Sequence, residues 1–212
     1  LRNIAVPNLN LFGVQIGALL GGVLLLGRIV GSYDLDVVLA SGDLIRGSAL
    51  YPWALALVLA GVTDPGDRAV LTGRFGRTRH YWDAFVERNQ EGGLLALFVD
   101  ADRCKGCGEC VDACGMNEAI SMKPKEEVDL DGYDRAMNFY RQLPDTPERF
   151  LSERSLGDML LSTRSQMTVG GTASCAGCGQ STAVRLMLAS TGFQSGAENV
   201  GVVAASGCDS VY

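Results

Sequence analysis

The chain has 212 residues, 47% of them hydrophobic and 20% charged, and a formal net charge of −6. That composition provides for a buried core and excludes an intrinsically disordered chain. Residues 1–92 carry eight basic and eight acidic side chains, and residues 93–212 carry ten and sixteen, so the excess acid lies in the second half. This argues against a nucleic-acid surface, which needs clustered Lys and Arg.

In chain order, the most apolar run is "LFGVQIGALLGGVLLLG", residues 11–27. It has 17 residues, holds Gln15 and five glycines, and meets Arg28 at once. A membrane-spanning helix needs about 20 apolar residues. The run therefore reads as a buried, glycine-packed helix or strand–turn–helix, and a membrane span is disfavoured. Its "GALLGG" lacks the glycine spacing of phosphate-cradling loops. Residues 50–63 predict a helix, with Pro52 near its first turn and Gly61 near its end. Residues 64–90 predict a polar turn and one or two amphipathic helices. His80, the single histidine, stands among Arg77, Arg79, Tyr81 and Trp82. It reads as a surface or interface residue rather than a metal ligand. Residues 1–92 form a helix-rich or α/β region with no assigned role.

Gly92 and Gly93 mark a boundary. "LLALFVDADRC" predicts a short apolar strand leading into cysteines, and "EAISM" at 118–122 predicts its matching strand. Together they delimit a cluster-binding module over 93–125. The seven cysteines lie at 104, 107, 110, 114, 175, 178 and 208, with none before 104. Such clustering, in CxxC units beside glycine, points to metal or iron–sulfur ligation in a reducing compartment rather than to a disulfide framework. "CKGCGECVDAC" has the spacing C-x2-C-x2-C-x3-C of bacterial ferredoxins. Three thiolates in a tight loop reach three irons of one [4Fe–4S] cube, and Gly106 and Gly108 let the backbone wrap close to it. Structural zinc is usually held by two more widely separated pairs. Cys104, Cys107 and Cys110 are thus assigned to one cluster. In two-cluster ferredoxins the fourth cysteine of a run ligates the other cluster, so Cys114 is assigned to this cluster or to a second one. Gly115 departs from the proline usual after that cysteine.

Residues 126–168 predict a linker with helical patches, interrupted by Pro144 and Pro147 and draped over neighbouring surfaces. "VGG" at 169–171 opens the last segment, which runs to residue 212. It predicts a loop holding Cys175 and Cys178, a helix over 180–192 and an apolar strand over 199–206. Cys208 follows. Taken alone, "CAGCG" has a structural zinc knuckle or a redox-active CxxC as its less favoured alternative reading. Leu1 is not a start methionine, and the run before Tyr212 reads as a strand entering a functional loop. The sequence therefore reads as an internal piece of a longer polypeptide.

"GGTASCAGCGQSTAVRLMLASTGF" followed by "VAASGCDSVY", with "CKGCGEC" upstream, resembles the pyruvate:ferredoxin and related 2-oxoacid:ferredoxin oxidoreductases. The resemblance covers roughly residues 98–212. It implies an α/β fold in which a ferredoxin-like α+β module precedes the start of a thiamine-diphosphate-binding parallel-sheet domain at 169–212. It implies that Cys175, Cys178 and Cys208 ligate a second [4Fe–4S] cluster, whose fourth ligand lies outside this sequence. Gln180 stands where the family often has a cofactor-contacting glutamate, and Gly207 and Cys208 would border the thiamine ring. The Mg²⁺-binding segment and the catalytic glutamate are not in the sequence, so no catalytic residue is assigned. The implied partners are a 2-oxoacid, coenzyme A and ferredoxin or flavodoxin, in a cytoplasmic homodimer. The alternative is an electron-transfer subunit with no catalytic centre of its own.

Overall fold

The computed structural model describes residues 3–7, 45–104, 106, 110–111, 120–167 and 179–203. Its described residues are a mixture of helices and antiparallel strands. The apolar run at 11–27 and the residues Cys107, Cys114, Cys175, Cys178, Gly207 and Cys208 lie outside them. Five strands are described: β1 Asn3–Pro7, β2 Ile45–Leu50, β3 Gly76–Arg77, β4 Leu94–Val99 and β5 Ile120–Pro124. The helices are α1 Pro52–Ala60, α2 Pro65–Thr72, α3 Ala84–Val86, α4 Leu130–Tyr140, α5 Leu156–Leu160 and α6 Gly179–Ser195.

Strand β4 organises the core. Its sequence "LLALFV" has no polar residue, as expected of a strand buried on both faces. It lies between β2 and β3, antiparallel to each, with Ile45 opposite Val99 and Leu50 opposite Leu94. Side chains alternate across a strand, and here the two faces line two different clusters. Leu95 and Val99 pack with Ile45, Tyr81, Phe150, Leu160 and Ala189. Ala96 and Phe98 pack with Leu55 and Leu59 of α1, Leu71 of α2, and Met137 and Phe139 of α4. Gly47 in β2 permits one close approach: a Cβ there would collide with Leu161 Cδ2.

Helix α1 forms where expected, with Pro52 at its first position and Gly61 as its C-cap. In α2 the Asp64 side chain accepts from Asp67 N at 2.8 Å and caps the helix. This satisfies one of the donors that a helix start leaves open. Helix α6 begins one residue before the expected 180 and continues three residues past 192. The segment 126–167 supplies core: Ala136, Met137, Phe139, Phe150, Leu160 and Leu161 are all buried.

Two strand expectations differ from what is observed. Residues 120–122, the described part of the segment expected to match the strand that begins at 94, do not pair with it. Instead β5 pairs with β1, Ile4 opposite Lys123 and Val6 opposite Ser121. The physical reason is occupancy: β2 covers one edge of β4 along its whole length, and β3 takes the start of the other. The strand expected at 199–206 is not formed over its described part. Ala197–Asn199 is a single tight turn, and 200–203 has no strand partner among the described residues. Val200 has extended backbone angles, yet an extended segment becomes a strand only when another pairs with it. No helix of the described residues is long and apolar enough to cross a membrane.

Candidate iron–sulfur site

The site grows from the end of β4. Past Val99 the chain turns through residues 101–103, and Cys104 N donates to Ala101 O at 3.3 Å. Two further contacts hold this turn. Lys125, just after β5, donates from Nζ to Ala101 O at 2.8 Å. Asp100 pairs with Arg103 at 3.6 Å and with Arg141, one residue past α4, at 3.9 Å. The turn is thereby tied to both segments that follow the cysteine run.

Cys104 and Cys110 are both buried, 7% and 8% exposed. Between them Gly106 has φ +72°, a left-handed conformation that glycine adopts without a Cβ penalty. Cys104 packs with Ala101, Val128, Leu130 and Tyr133. Cys110 belongs to the cluster that holds Leu95, Val99 and Ala189. Tyr133 packs against both groups. Through Ala189, helix α6 shares Cys110's cluster, and that helix starts directly after Cys178.

The electrostatics are those of a partly dry, acidic rim. Burial pushes the Tyr133 hydroxyl above its ordinary range, and the nearby Arg74 guanidinium opposes the shift. Arg74 lies 5.6 Å over the Tyr133 ring, and burial lowers its own pKa. The Asp134 carboxyl is raised by desolvation and then by the carboxylates of Asp102, Asp100 and Asp131, while Arg141 opposes the rise.

The donor set fits an iron–sulfur cluster. Buried cysteine sulfurs inside an apolar shell suit such a cluster, whose potential depends on burial and on hydrogen bonds to its ligands. Two of the four expected ligands of the ferredoxin-type run, Cys104 and Cys110, lie in the described structure, and Cys107 and Cys114 lie outside it. Gln180 is in the first turn of α6. Sequence reasoning missed Lys125, Asp100 and Tyr133. Lys125 and Tyr133 sit in the polar stretch "KPKEEVDLDGYDR", where no spacing rule marks a side chain that folds back on a distant loop.

His80 lies at a surface edge, its side chain 46% exposed. Its Nε2 is 3.2 Å from Oδ1 of buried Asp158, which also accepts from Tyr81 Oη at 2.5 Å. Neither His80 nor Asp158 comes from the cysteine segment.

A family model described as a 4Fe-4S binding domain matches residues 97–117. The chain is 27% identical over 136 residues to a pyruvate-flavodoxin oxidoreductase of Trichormus variabilis, a match covering 59% of this chain and 10% of that protein. It is 57% identical over 44 residues to a probable K(+)/H(+) antiporter component of Rhizobium meliloti, covering 21% of this chain and 4% of that one. The chain thus spans a tenth or less of either relative's length. The family match supports binding of a 4Fe-4S cluster, and with the oxidoreductase it relates the chain to iron–sulfur oxidoreductases.

Proposed function

We propose that the chain is part of an enzyme that oxidatively decarboxylates a 2-oxoacid, pyruvate foremost, with coenzyme A. The overall change is 2-oxoacid anion plus CoA thiol to acyl-CoA, CO2 and one proton, with two electrons leaving one at a time to ferredoxin or flavodoxin. The observation that carries this reading is the C-x2-C-x2-C-x3-C run at 104–114, matched by a 4Fe-4S model in a chain similar to a pyruvate-flavodoxin oxidoreductase. Thiamine diphosphate, with Mg²⁺ held by residues outside this sequence, would supply the electron sink for loss of CO2.

In this reading Cys104, Cys107 and Cys110 hold the outer cluster, with Cys114 on this cluster or a neighbouring one. Cys175, Cys178 and Cys208 hold an inner cluster, and Gln180, Gly207 and Cys208 border the thiamine. The domain limits at 93–125, 126–168 and 169–212, the homodimer and the cytoplasmic location belong to the same proposal.

A second reading keeps the clusters and drops the thiamine, leaving an electron-transfer subunit without its own catalytic centre. It is favoured by the 4Fe-4S family match, which covers residues 97–117 and not the later cysteines. The test is to purify the full-length parent anaerobically and measure CoA-dependent viologen reduction with several 2-oxoacids. Turnover with bound thiamine supports the first reading. Iron and sulfide without thiamine, and silence with every oxoacid, support the second.

A further inference from the structure

One cavity is used by neither reading. It has a volume of about 210 Å³ and lies between β2, the end of α4 and the loops at 143–146 and 161–166. An engineered cavity of about 150 Å³ holds benzene, so this one admits a molecule of that size or somewhat larger. Its apolar wall is formed by Gly47, Leu143, Pro144 and Leu161, and its polar groups include Ser48, Tyr140, Arg141 and Gln166.

The hydrogen-bond inventory of that wall is lopsided. The Tyr140 hydroxyl accepts from Gln166 Nε2 at 2.5 Å, and its own proton has no acceptor among the described residues. Ser48 is 3% exposed, and its Oγ is buried with no partner among the described residues. Thr146 Oγ1 accepts from Ala49 N and donates to nothing described. Arg141 stands at the rim with one N–H on Asn138 and a long pairing to Asp100. The one carboxylate in the lining, Asp145, already accepts from Thr146 N, Thr163 N, Thr163 Oγ1 and Ser162 Oγ. Burial raises the Tyr140 hydroxyl's pKa, so it stays a neutral donor at physiological pH. Unused donors and a guanidinium, beside a carboxylate that already accepts four hydrogen bonds, leave room for a ligand that accepts hydrogen bonds and carries negative charge. Buried polar groups are rarely left unpaired.

We propose that this cavity binds a small monocarboxylate, its carboxylate held by Tyr140 and Arg141 and its short apolar tail against Leu143, Pro144 and Leu161. Ser48 supplies a further donor from the wall. The site uses none of the seven cysteines, so its test is independent of the iron–sulfur reading.

The experiment uses the full chain, prepared anaerobically with its iron and sulfide, titrated calorimetrically with propionate and with its neutral isostere propionamide. Propionate is expected to bind once per chain with a dissociation constant of roughly 1 mM or tighter. Propionamide is expected to bind at least tenfold more weakly. A hydrogen bond to a charged group contributes about 1.5–3 kcal/mol, so Tyr140→Phe and Arg141→Gln should each weaken propionate about tenfold or more. Ser48→Ala should weaken it too while leaving the unliganded melting temperature equal or higher, because it removes an unpaired hydroxyl. This variant keeps the test meaningful if Tyr140→Phe proves unstable. No binding up to about 50 mM, equal binding of acid and amide, or affinities unmoved by all three variants would overturn the proposal and leave a water-filled polar recess.

Discussion

Two apolar runs in this chain lead into cysteine, "LLALFVDADRC" and "NVGVVAASGC", and they have different fates. The first becomes β4, paired on both sides, with Leu95, Ala96 and Phe98 fully buried. The second, over its described residues, has no strand partner, and Val203 is 100% exposed. Residue type is much the same in both. What differs is the company each keeps. Ile45–Leu50 and Gly76–Arg77 flank the first, and two layers of helices and loops cover its faces. Apolar composition makes a segment available as a strand, and pairing makes it one.

The comparison can be broken hardest at Phe98. Truncation of a buried Phe costs about 3–5 kcal/mol, so Phe98→Ala should lower the melting temperature by roughly 6–20 °C. Thermal unfolding followed by circular dichroism reads this. Gly47→Ala comes next. Its new Cβ would meet Leu161 Cδ2, and Leu161 is itself buried. Overpacking of this kind costs about 1–3 kcal/mol, visible as a lower denaturation midpoint with an unchanged slope.

A smaller effect lies where β4 gives way to the cysteine loop. The Asp134 carboxyl is held above its ordinary range, by desolvation first and then by Asp102, Asp100 and Asp131. A raised carboxyl holds its proton more tightly in the folded chain than in the unfolded one. Its ionisation therefore costs stability above the folded pKa, and the cost vanishes as pH falls below the unfolded one. Asp134→Asn should raise the melting temperature at neutral pH by no more than about 2 °C. The advantage should disappear as pH drops through the carboxylate range. A melting-temperature profile against pH, wild type beside variant, checks both the sign and the window.

The smallest effect is expected in the unpaired run. Val203→Ala should change stability by less than about 0.5 kcal/mol. In hydrogen exchange, the amides of 95–98 that face β2 should be protected while those of 201–203 exchange freely. Protection at 201–203 in the isolated chain would mean that this run has found a partner of its own.

Legibility in the sequence follows the same division. Helices α1 and α6 are readable because their signals are local: a proline at the first turn, a glycine at the end, a continuous helical run. The cysteine spacing is readable for the same reason, since one loop's geometry decides which thiols reach one cluster. Strand partners are not readable. The hydrophobic pattern of "EAISM" suits pairing with β4 as well as with "NIAVP", and only the occupied edges of β4 decide the matter. The supports of the cysteine turn are equally hidden. Lys125 reaches Ala101 across 24 residues, and Tyr133 meets Cys104 from within a stretch that reads as polar. Such contacts depend on where the chain returns, which periodicity does not encode.

The central claim is that residues 104–114 hold a [4Fe–4S] cluster whose loop is set by β4. The most direct measurement is electron paramagnetic resonance of the anaerobic, dithionite-reduced chain, beside iron and sulfide analysis, for wild type and Cys104→Ala. The account predicts equal iron and acid-labile sulfide and a half-spin signal from a reduced cluster in the wild type, with that signal lost or converted in the variant. Zinc without sulfide, or a spectrum indifferent to Cys104, would contradict it.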